Sequence, residues 1–220
     1  MQENFARRRS YDRDSVEFAR VLTFTDGLFA IAMTLLVVDL TVPTLADSHS
    51  VGQLADALHD DQTKFISFVI SFAVIGRYWL AHHTYFSTLQ AMDRGLIALN
   101  LLYLAFIAFL PFPTALLGEY FENPLALTIY AINVAVVSGM EVVLFTYAYN
   151  HDFLERKIPR DVYRFGVVMS LAPVVFFVIS IPIAFFVSST AAAFSWFLGI
   201  PLAAVAQRWK PEGADEFLLG

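Results

Sequence analysis

RVLTFTDGLFAIAMTLLVVDL, residues Arg20 to Leu40, decides how the rest of the chain is read. It is apolar enough to cross a bilayer, which takes roughly 20 residues in a helix. Yet Arg20 stands at its start and Asp26 lies about two turns inside. An ionisable group within a span is costly and by default marks a site. Beyond Asp26 runs a stripe of Ile, Thr, Leu and Val. At about 100° per residue, with Ile31 as zero, Leu35 falls near +40°, Val38 near −20° and Thr34 near −60°. Phe24 and Val42 join that face at about +20°. Asp26 falls at about −140°, so its carboxylate is expected to be buried against other helices on the far side. Leu36, about 140° round, is expected to face lipid. Arg20 and Asp26 are about 120° apart, so each is expected to bond across to other helices. The stripe alone does not separate a pore wall from a core or lipid-facing helix, because all three share the spacing.

The whole chain supports a membrane reading. Its 220 residues are 58% hydrophobic and 15% charged, against about 25% charged in soluble domains. There are 22 Phe and no Cys, which excludes disulfides and thiolate metal sites. A net charge of −6, with no basic patch interleaved with aromatics, points away from nucleic acid. Six segments are apolar enough to span: about 20–42, 64–86, 95–117, 124–148, 162–186 and 188–206. The last two are expected to form a tight hairpin. The predicted class is an all-α polytopic membrane protein with six transmembrane helices per subunit. Residues 1–19 and 207–220 are expected to be cytoplasmic tails flanking a 20–206 transmembrane domain. No internal repeat is apparent, so an inverted-repeat transporter is not supported. Arg7, Arg8, Arg9 and the apolar run after them resemble a secretory signal, but Asp26 would interrupt it and more spans follow.

Lys and Arg set the orientation. If odd-numbered spans run outward, the inner segments hold Arg7, Arg8, Arg9, Arg13, Arg94, Arg156, Lys157, Arg160, Arg208 and Lys210, with Arg20 and Arg164 at inner helix ends. The outer side keeps only Lys64 and collects Asp47, Asp56, Asp60, Asp61, Glu119 and Glu122. Both termini are therefore expected to be cytoplasmic.

That orientation places Arg20, Asp26, Arg77, His82, His83, Asn100 and Glu141 in the inner half of the membrane. Attraction in a dry interior is expected to draw them together. A structural clasp that fixes helix register is one reading; a proton relay through Asp26, Arg77, His82 and Glu141 in a secondary transporter is another. A third is a membrane enzyme or cofactor protein using His82 and His83. Those two point about 100° apart on a helix, which disfavours a shared metal. No hydrolase elbow, HExxH or P-loop is present, so no catalytic residue is assigned.

The motifs resemble a known family. RVLTFTD is similar to the R-x-x-x-F-S-D signature of the transmembrane protein 175 family, the lysosomal and bacterial potassium channels, with Thr25 at the usual Ser. The likeness continues through GLFAIAMTLLVVDL, IGRYWLAHHTYF and LNLLYLAFIAFLPFPTALLGEY. The second half matches only in hydropathy and span count. The resemblance implies a bacterial inner-membrane subunit that assembles with itself as a homotetramer among membrane lipids. It implies a potassium-permeable, weakly selective channel with no carbonyl filter, no cofactor, and no metal beyond permeating potassium. The first helix would line a pore on the fourfold axis, with Ile31 at the constriction, Leu35 and Val38 further out, and Thr34 supplying a hydroxyl. Arg20, Phe24, Thr25 and Asp26 would form a structural polar network with Arg77, Trp79, His82, His83 and Asn100.

Overall fold

The computed structural model describes residues 10–212 and residue 214. Arg7, Arg8 and Arg9, used above for orientation, and the end of the C-terminal tail lie outside the described residues. The chain opens with a short strand β1 (Ser10–Asp12) and helix α1 (Val16–Leu35), which tightens into a 3-10 turn at Leu36–Asp39. Next come α2 (Val51–Asp60), α3 (Gln62–Ser87), strand β2 (Ala91–Asp93), α4 (Arg94–Phe109) and α5 (Pro111–Glu119). The second half holds α6 (Pro124–Asn150), α7 (Arg160–Phe186), α8 (Ser189–Trp196), α9 (Gly199–Ala206) and a 3-10 turn at Gln207–Trp209.

The fold is mostly helical, as the composition requires, with three departures from the sequence reading. Among the described residues, five helical stretches are long and apolar enough to cross a membrane: Val16–Asp39, Gln62–Ser87, Arg94–Glu119, Pro124–Asn150 and Arg160–Phe186. The expected sixth span is instead α8 and α9, two eight-residue helices separated at Phe197–Leu198. Gly199 opens α9, and Gly and Pro201 in one turn weaken helix continuity there. Second, the tail expected over 1–19 already contains β1 and the first turn of α1, because Ser15 caps that helix by accepting from Phe18 N at 3.2 Å. Third, α2 and the two strands were not expected. β1 pairs antiparallel with β2, Tyr11 opposite Met92.

Those small pieces tie one end of the long helices together. Arg13 donates to the carbonyls of Ser87 and Leu89 at the end of α3. The turn after α3 is stitched to the turn after α6 through Gln90 N to Phe153 O and Glu155 N to Thr88 O, both 2.9 Å. At the opposite end Lys64 bonds Asp61 at 2.9 Å and Glu119 at 3.0 Å, and Thr63 donates to Gly118 O at 2.8 Å. Gly118 permits that contact: a Cβ there would lie 3.1 Å from Lys64 Cα.

Pro111 divides α4 from α5. It has no N–H to donate and its ring collides with the carbonyl of the preceding turn. The Ile107 carbonyl that Pro111 cannot bond accepts from Leu110 N at 3.2 Å instead. The core gathers Phe29, Ile75, Tyr78, Leu96, Tyr103, Leu127, Tyr130 and Val134 between α1, α3, α4 and α6. Among the described residues α1 packs on α3, α4 and α5, which leaves one side of it open.

Candidate functional site

The burial of α1 divides its circumference. Phe18, Thr25, Phe29 and Ala32 are buried, and Leu36 follows them at 1% exposure. The lipid-facing assignment of Leu36 is therefore corrected: it belongs to the core. Arg20, Thr23, Phe24, Asp26, Gly27, Ala30, Ile31, Thr34, Leu35 and Val38 are exposed on the other side. Ile31 is 60% exposed, Leu35 45% and Val38 68%. The open face is centred close to Gly27 and Thr34, about 50° from Ile31. Thr34 is thus near the middle of that face, with its hydroxyl donating back to Ile31 O at 2.9 Å. The helical wheel also fails beyond Leu35. In the 3-10 turn residues three apart eclipse, which stacks Val38 over Leu35. Val42 lies past the helical turns altogether.

Asp26 is a second correction. It is exposed rather than buried, at the edge of the open face, and accepts from Trp79 Nε1 on α3 at 3.0 Å. His83 is also exposed and lies against Trp79, ring centroids 5.6 Å apart.

The buried clasp forms one residue earlier, at Thr25. Asn100 Nδ2 on α4 donates to Thr25 Oγ1 at 3.0 Å, and Asn100 Oδ1 lies 2.8 Å from His82 Nε2 on α3. The His82 ring is stacked between Phe86, at 3.9 Å, and Tyr103, at 5.5 Å. Three helices are thereby pinned in one register by a single amide. His82 is buried and His83 exposed, so the adjacent histidines serve different surroundings. Among the described residues no group of three metal-ligating side chains gathers.

The expected single cluster is in fact several. Arg77 does not meet Asp26; its Nη1 lies 3.8 Å from Glu141 Oε2 on α6, and Tyr103 reaches Glu141 Oε1 at 3.5 Å. Arg20 and Phe24 are exposed on α1, outside both groups. Sequence reasoning missed the buried hydroxyl pairs. Tyr78 OH lies 2.6 Å from Ser138 Oγ, and Ser71 joins Tyr130 at 3.1 Å and Thr114 at 2.8 Å. Ser71, Tyr130 and Ser138 sit in apolar runs with no adjacent charge to single them out, and Tyr78 is overshadowed by its neighbour Arg77.

Open faces elsewhere look different. Past Arg160, Asp161 and Arg164 at its start, α7 exposes Val168, Leu171, Val175, Val178, Ile179, Phe185 and Phe186, a stripe without a polar side chain. Such a face suits lipid. The open face of α1 instead carries Arg20, Thr23, Asp26 and Thr34 among its apolar residues.

Comparison with known proteins agrees with the motifs. The family described as "Endosomal/lysosomal potassium channel TMEM175" matches residues 20–111. A Streptomyces collinus protein named a potassium channel is 46% identical over 107 residues, 49% of this chain and 50% of its own. The human "Endosomal/lysosomal proton channel TMEM175" is 37% identical over 97 residues, 42% of this chain and 19% of its own. The matches thus span half or less of those two relatives. The crystal structure of a TMEM175 homologue from Chamaesiphon minutus, titled a lysosomal potassium-selective channel homologue, superposes with a TM-score of 0.64 at 30% identity, covering 87% of this chain and 99% of that one.

Proposed function

The chain belongs to the TMEM175 family, and from that premise we propose that it is the subunit of a potassium-permeable, weakly selective cation channel. Four copies assemble around a fourfold axis, in a bacterial cell membrane with both termini cytoplasmic. The observation that carries this reading is the open face of α1. One side of a membrane-length helix is left uncovered by the described residues of its own subunit and is too polar for lipid. Self-assembly around an axis gives that face a partner and a purpose.

Around such an axis Ile31 and Leu35 project from α1 with Thr34 between them, and Val38 continues the wall outward. No carbonyl filter is used. An apolar constriction gates by dewetting and makes a passing ion shed part of its hydration. Potassium holds its water less tightly than sodium, which favours potassium modestly, and the Thr34 hydroxyls stand near the same wall. Outer acidic residues such as Asp47, Asp56 and Asp60 concentrate cations within the roughly 8–10 Å reach of an exposed charge. The curated relatives bear both potassium and proton names, so the permeant ion is the quantity to measure.

The test is flux into liposomes with potassium, sodium or protons as the sole permeant cation. Ile31→Asn, which wets the wall, should raise total flux and lower the potassium preference. Val168→Asn, on the apolar face of α7, should change neither. Equal effects at the two positions, or none at Ile31, would mean that α1 does not line the path.

A further inference from the structure

Helix α7 carries one exposed face along its length. With Arg160 as zero and about 100° per residue, Arg164 falls near +40°, Val168 near +80°, Leu171 near +20°, Val175 near +60° and Val178 near 0°. All of these residues are exposed. The face is therefore cationic at its start and apolar beyond it. From Phe165 to Phe186 the helix has no charged residue, a run of about 33 Å at 1.5 Å per residue. That matches the hydrocarbon core of a bilayer, about 30 Å thick. Arg160 and Arg164 then stand just outside the core, in the headgroup layer where lipid phosphates lie.

The protein leaves these two arginines without a counter-charge. Residues four apart on a helix are neighbours, and like charges at that spacing repel. Neither guanidinium has an ion pair or hydrogen bond among the described residues, and Asp161 in the same turn pairs with neither. Other cations near the helix ends are engaged. Arg13 donates to the carbonyls of Ser87 and Leu89, and Lys64 bonds Asp61 and Glu119. A phosphodiester between two guanidiniums relieves their repulsion and accepts from both planar forks. A soluble anion would answer the arginines and leave the apolar stripe below them unused. An anionic phospholipid matches both parts of the face, with charge at the headgroup level and hydrocarbon beneath it.

We propose that this face of α7 binds an anionic phospholipid, with its phosphate bridging Arg160 and Arg164 and an acyl chain lying along Val168, Leu171 and Val175. The inference rests on the membrane-spanning character of the chain and not on conduction, so a failure of the channel reading leaves it standing.

The chain has no Cys, so Leu171→Cys places a single fluorophore on the stripe, about 10 Å below Arg164. The labelled, assembled protein is reconstituted in phosphatidylcholine with a small fraction of brominated phosphatidylglycerol or brominated phosphatidylcholine. Quenching then gives the relative association of the two lipids. Each basic residue near the surface favours an anionic lipid about fivefold, so the pair should favour phosphatidylglycerol by about tenfold or more. Adding Arg160→Gln and Arg164→Gln to the labelled protein should bring the ratio to about one. A label at Phe186→Cys, at the far end of the helix where no Arg or Lys is near in sequence, should show no preference. Equal quenching by the two lipids at Leu171→Cys would overturn the proposal, as would a preference that survives the double glutamine variant. Equal ratios at the two labelled positions would overturn it too, whether or not the glutamine variant assembles. Quenching by neither lipid would overturn it by showing the face covered by a second copy. Loss of the preference in inorganic phosphate at constant ionic strength would overturn it by making the arginines a site for a free anion.

Discussion

Replacing Asn100 by Leu tests how much of the fold hangs on one buried amide. The change removes the 3.0 Å bond to Thr25 and the 2.8 Å bond to His82. The two losses differ in kind. Thr25 sits in a helix, where its hydroxyl can turn to a carbonyl of the preceding turn, as Thr23 does to Ala19 at 2.9 Å. His82 has no such retreat, because its ring is held between Phe86 and Tyr103. Interhelical hydrogen bonds in membranes average about 0.6 kcal/mol and reach about 1.7, so two contribute about 1–3 kcal/mol. Orphaning the His82 N–H adds about 1–3 kcal/mol. Asn100→Leu should therefore cost about 2–6 kcal/mol. His82→Phe keeps a ring in the stack. The double variant Asn100→Leu/His82→Phe should recover about 1–3 kcal/mol, since removing both partners leaves nothing unpaired. Reversible unfolding by SDS titration in mixed micelles, followed by far-UV circular dichroism, measures all three. Asn100→Leu within about 0.5 kcal/mol of wild type, or a double variant that simply adds the single losses, would refute the clasp.

Other positions separate core from open face. Asp26 is exposed and, among the described residues, bonded to Trp79. Asp26→Ala should thus cost less than about 2 kcal/mol in the same titration, where a buried ion pair would lose about 3–5. Leu36→Asn buries an amide in the core and should cut the yield of assembled protein on size-exclusion chromatography, with a penalty of about 2–5 kcal/mol. Gly118→Leu forces a side chain against the Lys64 backbone; overpacking of this kind costs about 1–3 kcal/mol, read as a lowered Tm.

The elements that hydropathy alone determines were legible: the long helices, their approximate ends and the mostly helical class. Polar residues in apolar runs stand out, which drew attention to Thr25, His82 and Asn100, but the same signal also gathered Arg20, Phe24, Arg77 and His83, which lie outside that hydrogen-bonded group. Which polar residue is buried was not legible. Thr25 and Asp26 are adjacent, and the wheel referred to Ile31 placed the carboxylate inside. The burial of Phe18, Phe29 and Ala32 turns the helix so that Thr25 faces inward instead. Leu36 failed for the same reason: the face opposite an apolar stripe was taken for lipid when it was core. The break in the last apolar segment was not legible either, since hydropathy averages across a turn at Phe197–Leu198 without registering it. β1, β2 and Arg13 depend on pairing between distant loops, which no local pattern carries.

The separation of the polar groups bears on the relay reading. A proton relay needs neighbours that both give and accept protons. Asp26 meets an indole N–H, a donor only, and His82 meets a side-chain amide, which does not ionise. Glu141 meets Arg77 and Tyr103 on the far side of α3. Neither Trp79 nor Asn100 links Asp26 or His82 to Glu141. Both are well suited to holding α1 at a fixed rotation, because each bond fails if the helix turns. A helix held in this way keeps Ile31, Thr34 and Leu35 together on its open side. The polar residues near Asp26 and the apolar stripe beyond it thus act on one variable, the rotation of α1. Variants of the clasp should change flux only to the extent that they let α1 turn, and the same flux assay run on Asn100→Leu protein that remains assembled measures that coupling.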